Sequence, residues 1–362
     1  MSRHAALLAR QILAISGVVF VTGCTNSPPV DPRPVPGDPV LACPASIKRA
    51  GVKTPTVEIV YPKPVLTGGS APITSSCEPR QGTAFPLGTT LVECRTTDSA
   101  ARRAACTFSI TLTRSVLTVQ RFLAFGDSIT AGEDGEGIVM TTSFIEEATS
   151  YPTGLRTLLQ TEFAAQTFTV VNAGVSGEPV RCPPVGFDSC GVDRLPGELA
   201  RHQPQAVLIL HGYNDLDAEE NVSEVIASTR ELIRIARARG VPFVFVGTIT
   251  PGRTSDPGFI PRRRSPAVID ETNAGLRALV PAEGAHLVDT FAAFVGREQT
   301  LVGGDGLHLT AAGNAVLAET FFARIKQVIP TAQQSPAFVA GPGGLLTANP
   351  ADIGPPTPRG RR

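Results

Sequence analysis

Two patterns of hydrophobic and polar positions follow one another along the chain. Between residues 41 and 114, short apolar runs alternate with polar positions at a spacing of two, as in Cys106, Phe108, Ile110 and Leu112, whose intervening neighbours are Thr and Ser. This spacing predicts strands with one buried face, and the segment contains no stretch of helical spacing. We therefore predict a small immunoglobulin-like β-sandwich over residues 41–114.

From residue 117 to 331 the pattern changes to apolar runs alternating with amphipathic segments, which is typical of a parallel sheet with helices on both faces. The predicted strands are 121–125, 168–172, 206–210, 242–248 and 285–288. The predicted helices are 151–165, 219–239, 266–279 and 311–328, the last capped by Thr310. Ligands bind at the carboxyl ends of such strands, so we expect functional residues there.

The first 40 residues read as a targeting segment. Arg3 and Arg10 precede an uncharged run over residues 11–23 that is too short to span a membrane and ends at Cys24. The small residues before Cys24 resemble a bacterial lipobox. The resemblance implies a signal peptide over 1–23, a lipid anchor on Cys24 and a place in the bacterial cell envelope; an ordinary cleaved signal is the alternative. Residues 24–40 form a Pro-rich linker, and we predict a disordered tail over 332–362.

Charge and cysteine content narrow the function further. The chain has 32 basic and 32 acidic residues, so charge gives no reason to expect a nucleic-acid partner. Setting Cys24 aside leaves six cysteines, an even number that favours disulfides in an exported protein. Cys182 and Cys190 are expected to pair, whereas the other four can pair in three ways: Cys43, Cys77, Cys94 and Cys106. No Cys-x-x-Cys spacing occurs, and we expect no metal site.

A serine nucleophile with a nearby base is the chemistry these strand ends suggest. Ser128 lies on the turn after the first predicted strand, and His308 precedes the last predicted helix. Serine needs an adjacent base, and a carboxylate must hold the histidine in the right tautomer. Asp305, three residues before His308, is the expected carboxylate, with Asp289 as the alternative.

Donors for a negatively charged oxygen are expected at neighbouring strand ends. The Ser128 N–H, the Gly174 N–H and the Asn214 side chain are the candidates for an oxyanion hole. Asp127 and Asp215 are expected to hold turns. His211 and His286 are expected to be packed or surface histidines rather than bases, with a position lining the cleft as the alternative for His211. The basic run 262–264 is either solvated or faces an acidic substrate.

Four blocks carry a family resemblance: GDSIT at Ser128, NAGVSG containing Gly174, Gly212-x-Asn214-Asp215, and Asp305-x-x-His308. Over residues 117–331 they resemble the SGNH (GDSL-type) hydrolases. The resemblance implies a flavodoxin-like three-layer α/β/α fold, a Ser-His-Asp triad and ester hydrolysis through an acyl-enzyme without a cofactor. Lipid esters and O-acetylated glycans both remain candidate substrates.

The first domain carries a second resemblance. Cys43-Pro44, the Phe85-to-Cys94 block FPLGTTLVEC, Asp98 and Cys106-x-Phe108 look like a HYR (hyalin repeat) module. After Asp98 the sequence Ala-Ala-Arg-Arg replaces the usual Gly-Asn turn. The family's association with extracellular adhesion implies an alternative function, an envelope adhesion or scaffold protein in which this module binds a partner.

Overall fold

The computed structural model describes residues 37–135, 145–182, 189–216, 221–257, 264–334, 338–340 and 346–348. The predicted signal peptide, Cys24 and most of the Pro-rich linker lie outside these residues, as do Arg262 and Arg263 of the basic run. Within the described ranges, no helix combines the length and the apolar character needed to cross a bilayer.

The N-terminal domain is built from eight short strands. They are β1 (Val40–Ala42), β2 (Ile47–Arg49), β3 (Thr56–Ile59), β4 (Val65–Thr67), β5 (Thr74–Glu78), β6 (Thr83–Pro86), β7 (Gly88–Thr97) and β8 (Arg103–Leu112). A four-stranded sheet has the order β2-β8-β7-β5, and β1–β4 and β3–β6 form two further pairs. Alternate residues of β7 and β8 are buried, and Val92, Phe108 and Ile110 lie in one core with Phe85. The predicted small β-sandwich is confirmed.

Two disulfides fasten this domain, and the structure selects one of the three pairings left open by the sequence. Cys43 is joined to Cys106 and Cys77 to Cys94. Cys77 and Cys94 face each other in the register of neighbouring strands β5 and β7. Such cross-links support a small core by restricting the unfolded chain.

The C-terminal domain is centred on five parallel strands. They are β10 (Arg121–Gly126), β11 (Thr169–Gly174), β12 (Ala206–Leu210), β13 (Phe243–Gly247) and β14 (His286–Val288), in the order β11-β10-β12-β13-β14. This is the flavodoxin-like strand order. On β10, Phe122 and Ala124 face one core, whereas Leu123 and Phe125 face the other, because successive side chains of a strand point to opposite faces.

Helices cover both faces and complete the three layers. They are α1 (Ser128–Ala131), α2 (Tyr151–Glu162), α3 (Gly191–His202), α4 (Val222–Ala238), α5 (Pro266–Ala282), α6 (Thr290–Phe294), α7 (Glu298–Leu301) and α8 (Ala311–Val328). Helices α2 and α8 pack on the core of Phe122, and α3 packs on the core of Phe125. The predicted α/β/α fold is confirmed. Helices α2, α4, α5 and α8 were predicted, whereas α3 and the short helices α1, α6 and α7 were not.

A short antiparallel pair connects the two domains. Strand β9 (Arg114–Leu117) follows the sandwich and pairs with β15 (Thr331–Gln334), which follows the last helix. The disorder predicted from residue 332 onward therefore begins too early, because the backbone of 331–334 is hydrogen-bonded in this pair. Strands β16 (Phe338–Ala340) and β17 (Leu346–Ala348) pair with each other further along the tail.

Candidate active site

Ser128 lies where β10 runs into α1. Asp127 caps this helix, because its Oδ1 accepts a hydrogen bond from the Ile129 N–H at 3.1 Å. The turn needs Gly126, since a Cβ there would lie 2.0 Å from the carbonyl oxygen of Leu210. The predicted turn-holding function of Asp127 agrees with this geometry, and the serine is held at the carboxyl end of a central strand.

The structure brings Ser128, His308 and Asp305 into one chain of hydrogen bonds. Ser128 Oγ lies 2.8 Å from His308 Nε2, and His308 Nδ1 lies 2.5 Å from Asp305 Oδ2. The second oxygen of Asp305 accepts from the N–H groups of Leu307 and His308 at 2.9 and 3.0 Å. His308 is only 2% exposed, and its ring is oriented from both sides.

Asp289 does not take part in this chain. Its carboxylate accepts two hydrogen bonds from the Arg277 guanidinium and one from the Ala292 N–H, which caps α6. Of the two carboxylates proposed from the sequence, only Asp305 contacts His308.

Two buried carboxyls near the serine are shifted in opposite directions. Burial acts to raise the pKa of Asp305, but the hydrogen bond and charge of His308 outweigh it, and the pKa lies below its ordinary value. Burial dominates at Asp127 and raises its pKa above the ordinary value. Asp305 is therefore held in the charged form that orients an imidazole.

The geometry does not favour Gly174 as an oxyanion donor. Its N–H already donates to Asn172 Oδ1 at 3.0 Å, and a Cβ at this position would lie 2.1 Å from the Ala131 nitrogen. Gly174 is thus needed where β11 packs against α1. Gly177, three residues later in the loop that follows β11 and at a φ of +72°, lines the cavity beside Ser128 instead.

Asn214 reaches the cavity as predicted. Its Nδ2 donates one hydrogen bond, to the carbonyl oxygen of Glu178 at 2.9 Å, and an amide carries two such hydrogens. Asp215 holds the facing loop, because its carboxylate accepts from the N–H groups of Val180 and Arg181 at 2.8 and 3.0 Å. Burial raises the pKa of Asp215.

A buried ion pair supports these loops from below. Arg194 donates to Glu178 Oε2 at 2.6 Å and also to the carbonyl oxygens of Ala173 and Gly126. The Gly212 N–H donates to His211 Nδ1, so Nε2 carries the ring hydrogen. The Nε2–H group donates a hydrogen bond to Glu178 Oε2 at 3.1 Å. His211 is packed rather than catalytic, and the network joins the ends of three strands.

The cavity above Ser128 has a volume of about 230 Å³. The described residues that line it are Ser128, Glu133, Ser176, Gly177, Asn214, Arg264, Leu307 and His308. Leu307 is the one aliphatic side chain among them. Glu133, which sequence reasoning missed, lies 3.5 Å from His308 Nε2 through its Oε2. Its place depends on a turn at Gly132 that no sequence spacing indicated.

The cysteines of this domain border the cavity loops. Cys182 and Cys190 form the predicted disulfide, around residues 183–188, which lie outside the described part. Among the described residues, two groups of three side chains lie close enough together to share a metal ion. One is Cys182, Cys190 and Asp193, and the other is Cys43, Cys94 and Cys106 of the sandwich. Their sulfurs are held in disulfides and offer no thiolate ligand.

Comparisons with known proteins identify both domains. The HYR domain family model matches residues 36–112, and that of the GDSL-like lipase/acylhydrolase family matches residues 124–316. No curated protein matches the chain.

Three esterases or acylhydrolases are among the solved structures that are similar to this chain. A carbohydrate acetylesterase from Sinorhizobium meliloti is 19% identical, with a TM-score of 0.48 over 58% of this chain and 99% of its own. An aryl esterase from M. smegmatis is 21% identical, with a TM-score of 0.46 over the same shares. A lipase/acylhydrolase from Enterococcus faecalis is 24% identical, with a TM-score of 0.44 over 59% and 100%.

The match over residues 124–316 covers more than half of the chain and includes Ser128, Asn214, Asp305 and His308. The chain belongs to the GDSL-like lipase/acylhydrolase family and is a carboxylic ester hydrolase of the SGNH type.

Proposed function

We propose that the protein is a serine esterase in which Ser128 is the nucleophile, His308 the general base and Asp305 the group that orients the base. The observation that carries this proposal is the unbroken hydrogen-bond chain from Asp305 through His308 to Ser128, which opens into a cavity. A serine hydroxyl is a weak nucleophile until an adjacent base accepts its proton.

The proposed reaction has two halves. Ser128 Oγ attacks the ester carbonyl carbon and gives its proton to His308 Nε2, while the carbonyl π electrons move to the oxygen. The imidazolium then gives this proton to the alcohol oxygen as the C–O bond breaks, which leaves an acyl-serine. Water repeats both steps, so that the carboxylic acid leaves and Ser128 regains its proton.

The developing oxyanion needs donors that are already in place. We assign this function to the Ser128 N–H, the Gly177 N–H and Asn214 Nδ2, with Gly177 in the place first given to Gly174. The support is that Gly177 and Asn214 line the cavity beside Ser128, whereas the Gly174 N–H is used by Asn172. Removal of one such donor slows turnover by about 100- to 1,000-fold in comparable sites.

The cavity favours small acyl groups on polar alcohols. Its volume is about 230 Å³, and seven of the eight described lining residues are polar or glycine. A long aliphatic chain would find little apolar surface there, whereas hydroxyl groups would find hydrogen-bond partners. We therefore place short-chain esters, including O-acetylated sugars, ahead of long-chain lipid esters.

The test combines labelling with a substrate series. The full chain is treated with a fluorophosphonate probe, and hydrolysis of p-nitrophenyl esters of increasing chain length and of an acetylated sugar is measured. Ser128→Ala should abolish labelling and turnover, whereas Ser176→Ala, which removes a second cavity serine, should still be labelled. Labelling of Ser128→Ala at full strength would exclude this nucleophile, and a rate that rises with chain length would favour lipid esters.

We further propose that the protein is exported and anchored to the membrane through Cys24. The support is the charged and apolar pattern before Cys24, together with disulfides, which persist in oxidising compartments. Cys24→Ala should move the expressed protein from the membrane fraction to the soluble fraction. Retention of that variant in the membrane fraction would contradict the anchor.

A further inference from the structure

Glu133 is a buried carboxylate beside the reacting nitrogen of His308, and the mechanism above gives it no function. Its Oε2 lies 3.5 Å from His308 Nε2 and accepts a hydrogen bond from Ser176 Oγ at 2.5 Å. The residue is 2% exposed. Burying a carboxylate costs free energy unless neighbouring groups favour its charge, so a position against the catalytic base points to a use for that charge.

The backbone holds Glu133 to both halves of the active site. Gly132, at a φ of +90°, ends α1, and the Glu133 N–H then donates to the carbonyl oxygen of Ser128 at 3.0 Å. The next residue, Asp134, forms a β-bridge with Leu309, which follows His308. Gly135 continues this contact, because a Cβ there would lie 2.6 Å from the His308 carbonyl oxygen. The carboxylate is therefore fixed relative to both Ser128 and His308.

On the basis of the serine mechanism proposed above, we propose that Glu133 stabilises the protonated form of His308 from its Nε2 side. In the resting enzyme Nε2 accepts from Ser128 Oγ, so Glu133 and Nε2 are both acceptors and do not attract each other. After the proton has moved to Nε2, the imidazolium lies between two carboxylates, Asp305 at Nδ1 and Glu133 at Nε2.

The timing of this attraction gives it a catalytic effect. An interaction that becomes favourable only as the proton leaves Ser128 stabilises the transition state more than the ground state, and it therefore raises the rate. The same attraction also holds a proton on the resting histidine as the solution becomes acidic. Glu133 should thus raise the neutral-pH rate and move the acidic limb of the pH–rate profile to higher pH.

Other charges also face His308. From the described elements around it these are Asp305 in its own loop, Asp127 before α1, Glu133 after α1 and Arg264 before α5. A substitution of Glu133 alone leaves the other three in place, so a change in the pH profile can be assigned to Glu133.

The experiment is a pH profile of kcat/KM for p-nitrophenyl acetate with the full chain. We expect Glu133→Gln to lower the neutral plateau about 10- to 100-fold and to move the acidic limb to lower pH. Glu319→Gln, which makes the same change on the exposed side of α8, is the matched control and should leave both unchanged. An unmoved acidic limb, with or without a lower plateau, would overturn the proposal.

A second variant and a second measurement keep the test decisive. Glu133→Asp retains the charge on a shorter side chain and should give a plateau and an acidic limb between those of the wild type and Glu133→Gln. An NMR titration of the His308 ring needs no turnover, and we expect its midpoint to fall in Glu133→Gln. An unchanged midpoint contradicts the proposal even if no ester is hydrolysed, whereas equal turnover by wild type and Ser128→Ala contradicts only the serine mechanism.

Discussion

At the scale of single residues, Asp305 and Asp289 are carboxylates with different partners. Asp305 accepts from the ring and backbone of His308, whereas Asp289 caps α6 and pairs with Arg277. The charge of Asp305 is thus available to an imidazolium, and that of Asp289 is neutralised by a guanidinium.

We therefore expect Asp305→Asn to lower kcat by about 1,000- to 10,000-fold, because an amide cannot hold the histidine tautomer that accepts from Ser128. Asp289→Asn is the matched control, and it should lower the melting temperature while kcat stays near the wild-type value. The measurement is steady-state hydrolysis of p-nitrophenyl acetate with thermal unfolding of each variant. If Asp289→Asn loses activity and Asp305→Asn keeps it, the assignment is reversed.

The sequence located the residues of the proposed triad more readily than the groups around them. Ser128 and His308 stand in short motifs whose order along the chain is itself informative. Gly174 ends β11 and Gly177 follows three residues later, and the choice between them depends on which N–H group already donates to the Asn172 side chain. Glu133 was missed because a tertiary turn, rather than a motif, brings it to His308.

At the scale of elements, the turn between β7 and β8 shows the effect of a departure from the HYR pattern. Asp98 accepts from the N–H groups of Ser70, Ala100 and Arg102, which fixes the turn. Ala101 is thereby held at a φ of +61°, a left-handed conformation that favours glycine.

Ala101→Gly should therefore stabilise the sandwich by about 0.5–1 kcal/mol, since glycine adopts this conformation without the steric cost that alanine bears. Ala100→Gly, on the adjacent residue without a positive φ, should be neutral or destabilising. Chemical unfolding of the two variants tests this. Equal effects from both substitutions would show that the backbone conformation at Ala101 is not costly.

The hydrogen-bond network of Glu178, Arg194 and His211, which lies behind the proposed oxyanion donors, should respond to acid. Burial acts to raise the pKa of Glu178, but hydrogen bonds from His211 and Arg194 outweigh it and lower the pKa to about 2. A carboxyl whose pKa is lowered by folding stabilises the folded state at any pH above its pKa in the unfolded chain, which is about 4.3 for Glu. This contribution is lost as the pH falls toward the pKa in the folded protein.

Glu178→Gln should thus be less stable than wild type by up to about 3 kcal/mol at neutral pH, and the gap should close between about pH 5 and about pH 2. Glu162→Gln, which breaks only the exposed pair with Lys53, should show a small gap without this pH dependence. Urea unfolding across this range supplies the comparison. A Glu178 gap that stays constant with pH would contradict the assigned shift.

The strands of the parallel sheet and four of the eight helices, α2, α4, α5 and α8, were predictable because their apolar spacing is regular. Helix α3 was not, since Gly191, Pro196 and Gly197 lie within it and disfavour a helix locally. Its Leu195 and Leu199 nevertheless pack on the sheet, so tertiary burial overrides local propensity. The disulfide pairing within the sandwich could not be predicted either, because it depends on which strands become neighbours.

At the scale of the whole molecule, the two domains meet where the segment before the hydrolase domain pairs with the segment after it. Strand β15 pairs with β9, and Thr113 Oγ1 lies 2.9 Å from Gln333 Oε1. Lys53 of the sandwich also pairs with Glu162 of α2 at 2.9 Å.

A chain that ends at Pro330 should be cut by protease between the domains faster than a chain that ends at Gln334. Both lack residues 335–362, so they differ only in β15. Turnover of p-nitrophenyl acetate should be the same in both, because the cavity lies elsewhere. Limited proteolysis followed by mass spectrometry locates the cuts, and equal cleavage rates would show that this pair does not hold the domains together.

Ser128 and His308 are separated by 180 residues and meet only in the finished fold. A nascent or partly folded polypeptide therefore has the Ser128 hydroxyl without the imidazole proposed as its base, and we expect it not to hydrolyse esters. After dilution from denaturant, ester hydrolysis should accordingly recover later than the helical circular dichroism signal. Ester hydrolysis would then report on complete folding of the domain.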